Sequence, residues 1–421
     1  MNFDEALSYL LSLGHETLTI KLGLRNTEIL LQALGDPQIE FPSVQIAGTN
    51  GKGSTAVTLD SICRAAGIRT GLFTSPHLIS ITERIRIAGK QISEPDFASF
   101  TTRVKTTAAE LVDKGRLETP PTFFEHVTAI ALLAFREANV DLAILETGLG
   151  GRLDSTTAAG AAIVAITPIA LDHQEYLGHS LPEIAAEKAA IIRPGVTAIV
   201  APQEKAAAEV ILGQCERVKV RPRFTGQNLP ASYENISIGL RGRHQIVNVS
   251  TAIALAEALR QRGFSITREA IIRGVETVRH AGRLELWEGR PGILFDGAHN
   301  PAAMRALRDY LDEFVNQPIT MIFGAMRDKA LPEMAATLFP KADELILTNL
   351  DNPRAATAEM LMAAVPINFD KDRVHLASSA AEALRIAREI TAADGLICVT
   401  GSLYLVGAIQ EILSTKKPPS P

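Results

Sequence analysis

The segment Val44–Thr55, VQIAGTNGKGST, concentrates residue types that suit a phosphate group. A short apolar run leads into a glycine-dense turn, and the spacing of Val57, Leu59 and Ile62 predicts a helix after it. Glycines let several backbone N–H groups turn toward one point, and a helix N-terminus adds positive partial charge. Across Gly51, Lys52, Gly53 and Ser54, the lysine would supply a point charge, and Ser54 or Thr55 a hydroxyl for magnesium. Neither the strict Walker spacing nor GxGxxG is met, because Ile46 stands where the first Walker glycine belongs and Gly53 separates Lys52 from Ser54. A tight strand–helix turn without a ligand is the plainer alternative.

Two further segments repeat the logic of a strand ending in polar residues. In VDLAILETGLGGRLD (Val140–Asp154), Glu146 falls where the strand should end, before a loop too glycine-rich for a helix. In IVAITPIALDHQEYLG (Ile163–Gly178), Asp172 and His173 fall in the following loop. Ligands of open parallel sheets gather at the carboxyl ends of strands, so Ser54, Glu146 and His173 would converge as hydroxyl, carboxylate and imidazole around a metal. Solvated side chains at strand ends are the alternative. Ser180, with Glu183 three residues on and Pro182 in the first turn, reads as a capped helix start; Lys188 on that helix reads as a surface lysine. In FDGAHNPA (Phe295–Ala302), Asp296 could accept ribose hydroxyls and His299 could stack on or bond a nucleotide. Asn300 there reads equally as a helix cap.

The elements that must position these residues are short Val- and Ile-rich runs, each followed by a turn and a helical pattern. They are Val44–Ala47, Leu142–Leu145, Ile163–Thr167 and Ala198–Val200, then Ile293–Phe295, Ile319–Phe323, Leu345–Thr348, Val374–Ala377 and Leu396–Thr400. Continuous apolarity predicts strands buried on both faces, hence parallel sheets, with helices such as Ala302–Phe314 and Ser379–Ile390 between strands. At 421 residues the chain predicts two or three domains, with a boundary in the polar stretch Arg283–Gly292. Pro222–Glu234 reads as a loop or antiparallel hairpin, and Ser414–Pro421 as a disordered tail. With 42 Lys+Arg against 47 Asp+Glu and 5% aromatics, no broad nucleic-acid or membrane surface is expected. Three scattered cysteines suggest neither disulfides nor a zinc site, and an acidic amphipathic N-terminus is unlike a signal peptide. Cytoplasm is the expected compartment.

Taken together, the motifs resemble the folylpolyglutamate synthase/dihydrofolate synthase family of Mur-ligase-like, ATP-dependent amide ligases. The resemblance runs through IKLGL (Ile20–Leu24), AGTNGKGST (Ala47–Thr55), TSPHL (Thr74–Leu78), ERIRI (Glu83–Ile87), TFFEH (Thr122–His126), ETGLGGRLD (Glu146–Asp154), LDHQEYLG (Leu171–Gly178), AEKAAIIRPG (Ala186–Gly195), GRHQIVN (Gly242–Asn248) and DGAHNP (Asp296–Pro301). It implies an α/β fold: a P-loop N-terminal domain with a mainly parallel sheet over residues 1–285, and a smaller Rossmann-like glutamate-ligase domain over 292–413, with ATP between them. It further implies Gly51–Ser54 at the ATP phosphates, Ser54, Ser75, Glu146 and His173 around one or two magnesium ions, and Lys188 carbamylated, which overrides its reading as a surface lysine. Asn248, Arg283 and Asp296, with His299 nearby, match nucleotide-binding positions. Thr122, Phe123, Phe124 and Glu125 with Leu153, Asp154 and Ser155, and also Ile20–Gly23, match the pterin pocket. Bifunctional members commonly read RLDATN where this chain reads RLDSTT, so Thr157 stands at an expected Asn, and EKAAI replaces EKAGI at Ala190.

The reaction so implied joins L-glutamate to dihydropteroate, tetrahydrofolate or its derivatives through an acyl phosphate, in a monomeric enzyme with Lys52, Lys188 and His173 in catalytic roles. His173 qualifies as the base for the glutamate amine only if it is not tied to metal. A folylpolyglutamate synthase without dihydrofolate synthesis, a cell-wall Mur ligase and a nucleotide-binding regulator are the rivals; TSPHL with ERIRI and TFFEH count against the second, and Lys52, Glu146, His173 and Lys188 together against the third.

Overall fold

The computed structural model describes residues 1–14 and 23–415. The expected pocket segment Ile20–Gly23 therefore lies outside the described residues except for Gly23. The chain divides into two compact units. One comprises residues 1–76, 82–239 and 246–278; the other comprises 77–81, 240–245 and 279–421. The single cut expected at Arg283–Gly292 thus falls inside the second unit, which also takes in two short segments from earlier in the chain.

The first unit is built on eight strands: β1 Ser43–Ala47, β2 Thr70–Phe73, β3 Ile85–Ile87, β4 Lys90–Gln91, β5 Leu142–Glu146, β6 Ile163–Ile166, β7 Thr197–Val200 and β8 Arg223–Phe224. Their order is β4-β3-β2-β5-β1-β6-β7-β8. From β2 to β8 all pairings are parallel, and β3 and β4 add an antiparallel edge. The strand β8 pairs parallel to β7, so the Pro222–Glu234 stretch is not an antiparallel hairpin. Strands β1, β2, β5 and β6 are buried along their whole length, as a sheet covered on both faces requires.

The helix Lys52–Ala65 carries the turn after β1 into the interior, with ten consecutive residues, Ser54–Cys63, buried. It is crossed at close range by the helix Arg268–Thr277. A Cβ on Gly274 would lie 2.4 Å from Ile62 Cα, and Ser61 Oγ donates to Gly274 O at 2.8 Å. Backbone-to-backbone approach this tight leaves no space for even a methyl group.

The second unit contains β9 Glu285–Trp287, β10 Gly292–Phe295, β11 Ile319–Phe323, β12 Glu344–Thr348, β13 Val374–Ala377 and β14 Leu396–Thr400, in the order β13-β12-β11-β14-β10-β9. All pairings are parallel except β9 with β10. Alternate residues of one strand enter different cores: Leu294, Met321 and Cys398 on one face, Ile293, Phe295, Ile322 and Ile397 on the other. The stretch taken as a polar boundary supplies β9, whose Trp287 ring meets Phe295 edge-on at 5.1 Å. Ser414 and Thr415, expected in a disordered tail, close the helix Leu403–Thr415. Cys63, Cys215 and Cys398 are all free and buried. Among the described residues no helix is long and apolar enough to cross a membrane.

Gly274→Ala should destabilise the protein by about 1–3 kcal/mol through overpacking, read as a lower urea midpoint. An unchanged midpoint would show that the helix contact is looser than described.

Candidate active site

Four neighbouring strands in the order β2, β5, β1, β6 run parallel, so their carboxyl ends open on the same edge. The turn after β1 is shaped by crowding. Gly48 has φ +148°, and a Cβ there would lie 1.9 Å from Thr167 Oγ1; Gly51 has φ +85°, and a Cβ would lie 2.0 Å from Asn248 Oδ1. Thr49 and Asn50 both donate their N–H to Pro168 O at 3.1 Å, and Thr49 Oγ1 donates to Ala170 O at 3.0 Å. The turn is therefore braced on the segment after β6. Gly51, Lys52 and Gly53 are half-buried at the helix start and Ser54 is buried. First-turn N–H groups lacking intrahelical acceptors make this end suited to an anion.

Two lysines meet the turn from its carbonyl side. Lys52 Nζ donates to Thr49 O at 3.3 Å, and Lys188 Nζ to Gly48 O at 2.8 Å. Lys188 is not a surface lysine. The helix Leu181–Ala189 begins at a capping box of Ser180 and Glu183, and its last turn brings Lys188 against the phosphate-type turn with 5% exposure. Burial, helped by the positive charge of Lys52, lowers its pKa to about 7. A substantial share of Lys188 is then an uncharged amine near neutrality.

Glu146 ends β5, beside Ile46 of β1, and is 5% exposed. Its Oε2 accepts the N–H of Ser75 at 3.2 Å, so the turn after β2 and the end of β5 are in direct contact. His173 follows β6 in a left-handed conformation, φ +50°, with its N–H donated to Asp172 Oδ1 at 2.9 Å. Among the described residues no three of His, Cys, Asp and Glu are grouped to hold a metal. A metal at this edge would draw on one carboxylate, Glu146, on the hydroxyls of Ser54 and Ser75 and on His173. Such a sparse set fits magnesium, which keeps waters and takes phosphate oxygens.

Beside this edge lie the residues expected at a pterin pocket. Thr122 and Glu125 cap the helix Phe123–Glu137: Thr122 N donates to Glu125 Oε2 at 2.6 Å and Glu125 N to Thr122 Oγ1 at 3.4 Å. Phe123 is buried with the Arg84 guanidinium 5.4 Å from its ring centroid. Phe124 is half-buried over Gly148, where a Cβ would lie 2.4 Å from the ring. Leu153 is half-buried, and Ser155 is buried. Asp154 is buried too; its two oxygens accept from Leu149 N at 2.9 Å and Thr156 N at 3.0 Å, and burial raises its pKa. Thr27, which no motif singled out, connects the two segments through Glu125 Oε1 at 3.4 Å and Ser155 Oγ at 3.3 Å. Its only signal in the sequence is a polar residue on the inner side of a short helix.

In the second unit Asp296 directly follows β10 and accepts from Leu284 N at 2.9 Å and Ala298 N at 3.0 Å, leaving a second lone pair on each oxygen. Arg283 lies alongside Gly297, and His299 Nδ1 is 2.8 Å from Gly297 O. Asn300 caps the helix Pro301–Phe314, accepting Ala303 N at 2.9 Å. Burial holds the neighbouring His244 below the usual histidine range. Asn248 lies in the first unit, over Gly51.

Residues 46–256 match the Mur ligase middle domain, and residues 282–403 the glutamate ligase domain of Mur ligases, which sets the class as a Mur-type ligase. A probable bifunctional folylpolyglutamate synthase/dihydropteroate synthase of Halobacterium salinarum is 36% identical over 96% of this chain; the chain spans about half that relative, 51% of its length. A dihydrofolate synthase/folylpolyglutamate synthase of Bacillus subtilis is 32% identical over 95% of this chain and 97% of its own. The solved bifunctional folylpolyglutamate synthase/dihydrofolate synthase of Yersinia pestis, complexed with AMPPNP and a Mn ion, has a TM-score of 0.82 at 28% identity, covering 98% of both chains. This chain belongs to the folylpolyglutamate synthase/dihydrofolate synthase family.

Lys188 predicts a pH signature. Its folded pKa of about 7 lies below the 10.5 of a free lysine, so between these values the unfolded chain binds more protons and its contribution to stability rises with pH. The urea midpoint of the wild type relative to Lys188→Met should climb as pH rises through that window; a constant difference would contradict the depressed pKa.

Proposed function

We propose that this chain is an ATP-dependent carboxylate–amine ligase that joins L-glutamate to dihydropteroate and to reduced folates, acting as a cytoplasmic monomer. The observation that carries the reading is the meeting, on one sheet edge, of the glycine turn, its two lysines and the Ser75–Glu146 contact. The relatives' names supply the acceptor class and the glutamate ligase domain the amino acid.

A carboxylate is a poor acyl donor, because its charge repels nucleophiles and oxide is not a viable leaving group. Transfer of the ATP γ-phosphoryl group to an acceptor carboxylate oxygen gives ADP and an acyl phosphate. Attack by the glutamate amine on the acyl carbon then forms the amide and releases phosphate. Lys52 and the first-turn N–H groups offset negative charge on the transferring group, which is the main work in phosphoryl transfer. Magnesium, held by Ser54, Ser75, Glu146 and His173, would add charge neutralisation when bound. The uncharged amine of Lys188 can add carbon dioxide and lose a proton, becoming a buried carbamate anion beside these residues. Phe124 and Leu153 offer apolar surface to a pterin ring. Asp296, Arg283 and His299 are assigned to the nucleotide's sugar and base.

Purified protein with ATP and glutamate should release ADP when given dihydropteroate and when given tetrahydrofolate. Release with tetrahydrofolate alone would favour the narrower folylpolyglutamate synthase reading that Thr157 suggests. Release with neither would overturn the assignment. Lys52→Ala should lower kcat by about 10²–10³-fold, the scale of losing one pre-placed charge donor; near-normal turnover would remove Lys52 from the mechanism. Lys188→Ala should lose activity and regain part of it with added short carboxylic acids. Absence of recovery at any concentration would count against the carbamate.

A further inference from the structure

Gln45 is the middle residue of β1, fully buried, and three residues ahead of Gly48. It is flanked by Val44 and Ile46, both also buried, so a polar side chain here is not required by the strand. Its carboxamide is aimed at the loop that follows Glu146. Nε2 lies 2.7 Å from Thr157 Oγ1, 3.0 Å from Thr156 Oγ1 and 3.4 Å from Thr147 Oγ1. The Thr157 hydroxyl proton is committed to Gly151 O at 2.7 Å, and that of Thr156 to Asp154 Oδ1. Both hydroxyls must therefore accept from Gln45, which fixes the nitrogen side of the amide toward the loop. The other side, Oε1, is buried with no hydrogen-bond partner. An apolar residue would avoid that unpaired acceptor, so the amide weakens the strand while it serves the loop.

We infer that Gln45 is a positioning residue that sets the glycine-rich loop 147–157, and with it the acceptor pocket, from the strand that also carries the phosphate-binding turn. This rests on the proposed ligase reading for its link to the acceptor, but not for the loop itself. Through Thr147 it holds the residue next to Glu146. Through Thr156 it braces Asp154, which fastens Leu149; through Thr157 it fixes Gly151.

Full-length Gln45→Leu and Thr157→Val, singly and together, test this with three measurements. The first is the rate of tryptic cleavage after Arg152, an exposed residue inside the loop. The second is the urea midpoint, and the third the KM for acceptor and for ATP. Cleavage after Arg152 should rise about tenfold in each variant, with the double variant no faster than the faster single one and the Gln45→Leu midpoint not lowered. Acceptor KM should rise about tenfold while ATP KM stays within about twofold, the pattern of a displaced binding loop. Unchanged cleavage overturns the inference, as does faster cleavage that merely tracks a lower midpoint. If Gln45→Leu does not fold, the same readings on Thr157→Val decide. A wild type that turns over no acceptor would sink the ligase reading, and the cleavage rates would still decide the loop.

Discussion

The parallel run of β2, β5, β1 and β6 is the constraint from which the rest of the first unit follows. A parallel sheet sends every strand's carbonyl end the same way and covers both its faces, so its polar groups collect at one rim. Ser75, Glu146, the turn at 48–51 and His173 are widely separated in sequence, yet each lies at the end of one of these strands or in the segment that follows it. The turn itself is set by two neighbours, Thr167 and Asn248, that already fill the places where side chains would go. Glycine at those positions is a spatial demand as much as a conformational one.

Within that rim Lys188 is a costly residue to place. A buried amine beside a second positive side chain is disfavoured as a cation, and the structure relieves this by lowering its proton affinity and giving it a single carbonyl partner. A lysine kept near neutrality is a nucleophile as well as a charge. That double character is what the proposed carbamate requires, because only the uncharged amine can take up carbon dioxide.

Much of this was legible in the residue pattern. Runs such as Val44–Ala47 and Ile319–Phe323 announce buried strands, and the expected loop residues do sit at strand ends. What the pattern concealed depended on distant neighbours. The apolar pattern of β2 is interrupted by Gly71, where the Phe135 ring lies 2.5 Å from the place a Cβ would take. Strand β9 looks like a polar linker because it is an edge strand, three residues long and only half-buried throughout. Lys188 follows ordinary helical spacing, and only the fold reveals that its side is turned inward. Gln45 carries no local mark and Thr27 only its place on a short helix; their meaning comes from partners about a hundred residues away.

The three thiols have a consequence of their own. Cys63 and Cys398 are wholly enclosed and Cys215 nearly so, and burial pushes all three above the ordinary thiol range. Thiolate is the reactive species, so folded molecules should be almost inert to alkylating agents and peroxide. Labelling of these sulfurs then becomes a stopwatch for spontaneous opening: Cys63 and Cys215 would time the first unit, and Cys398 the second, in a single untagged sample.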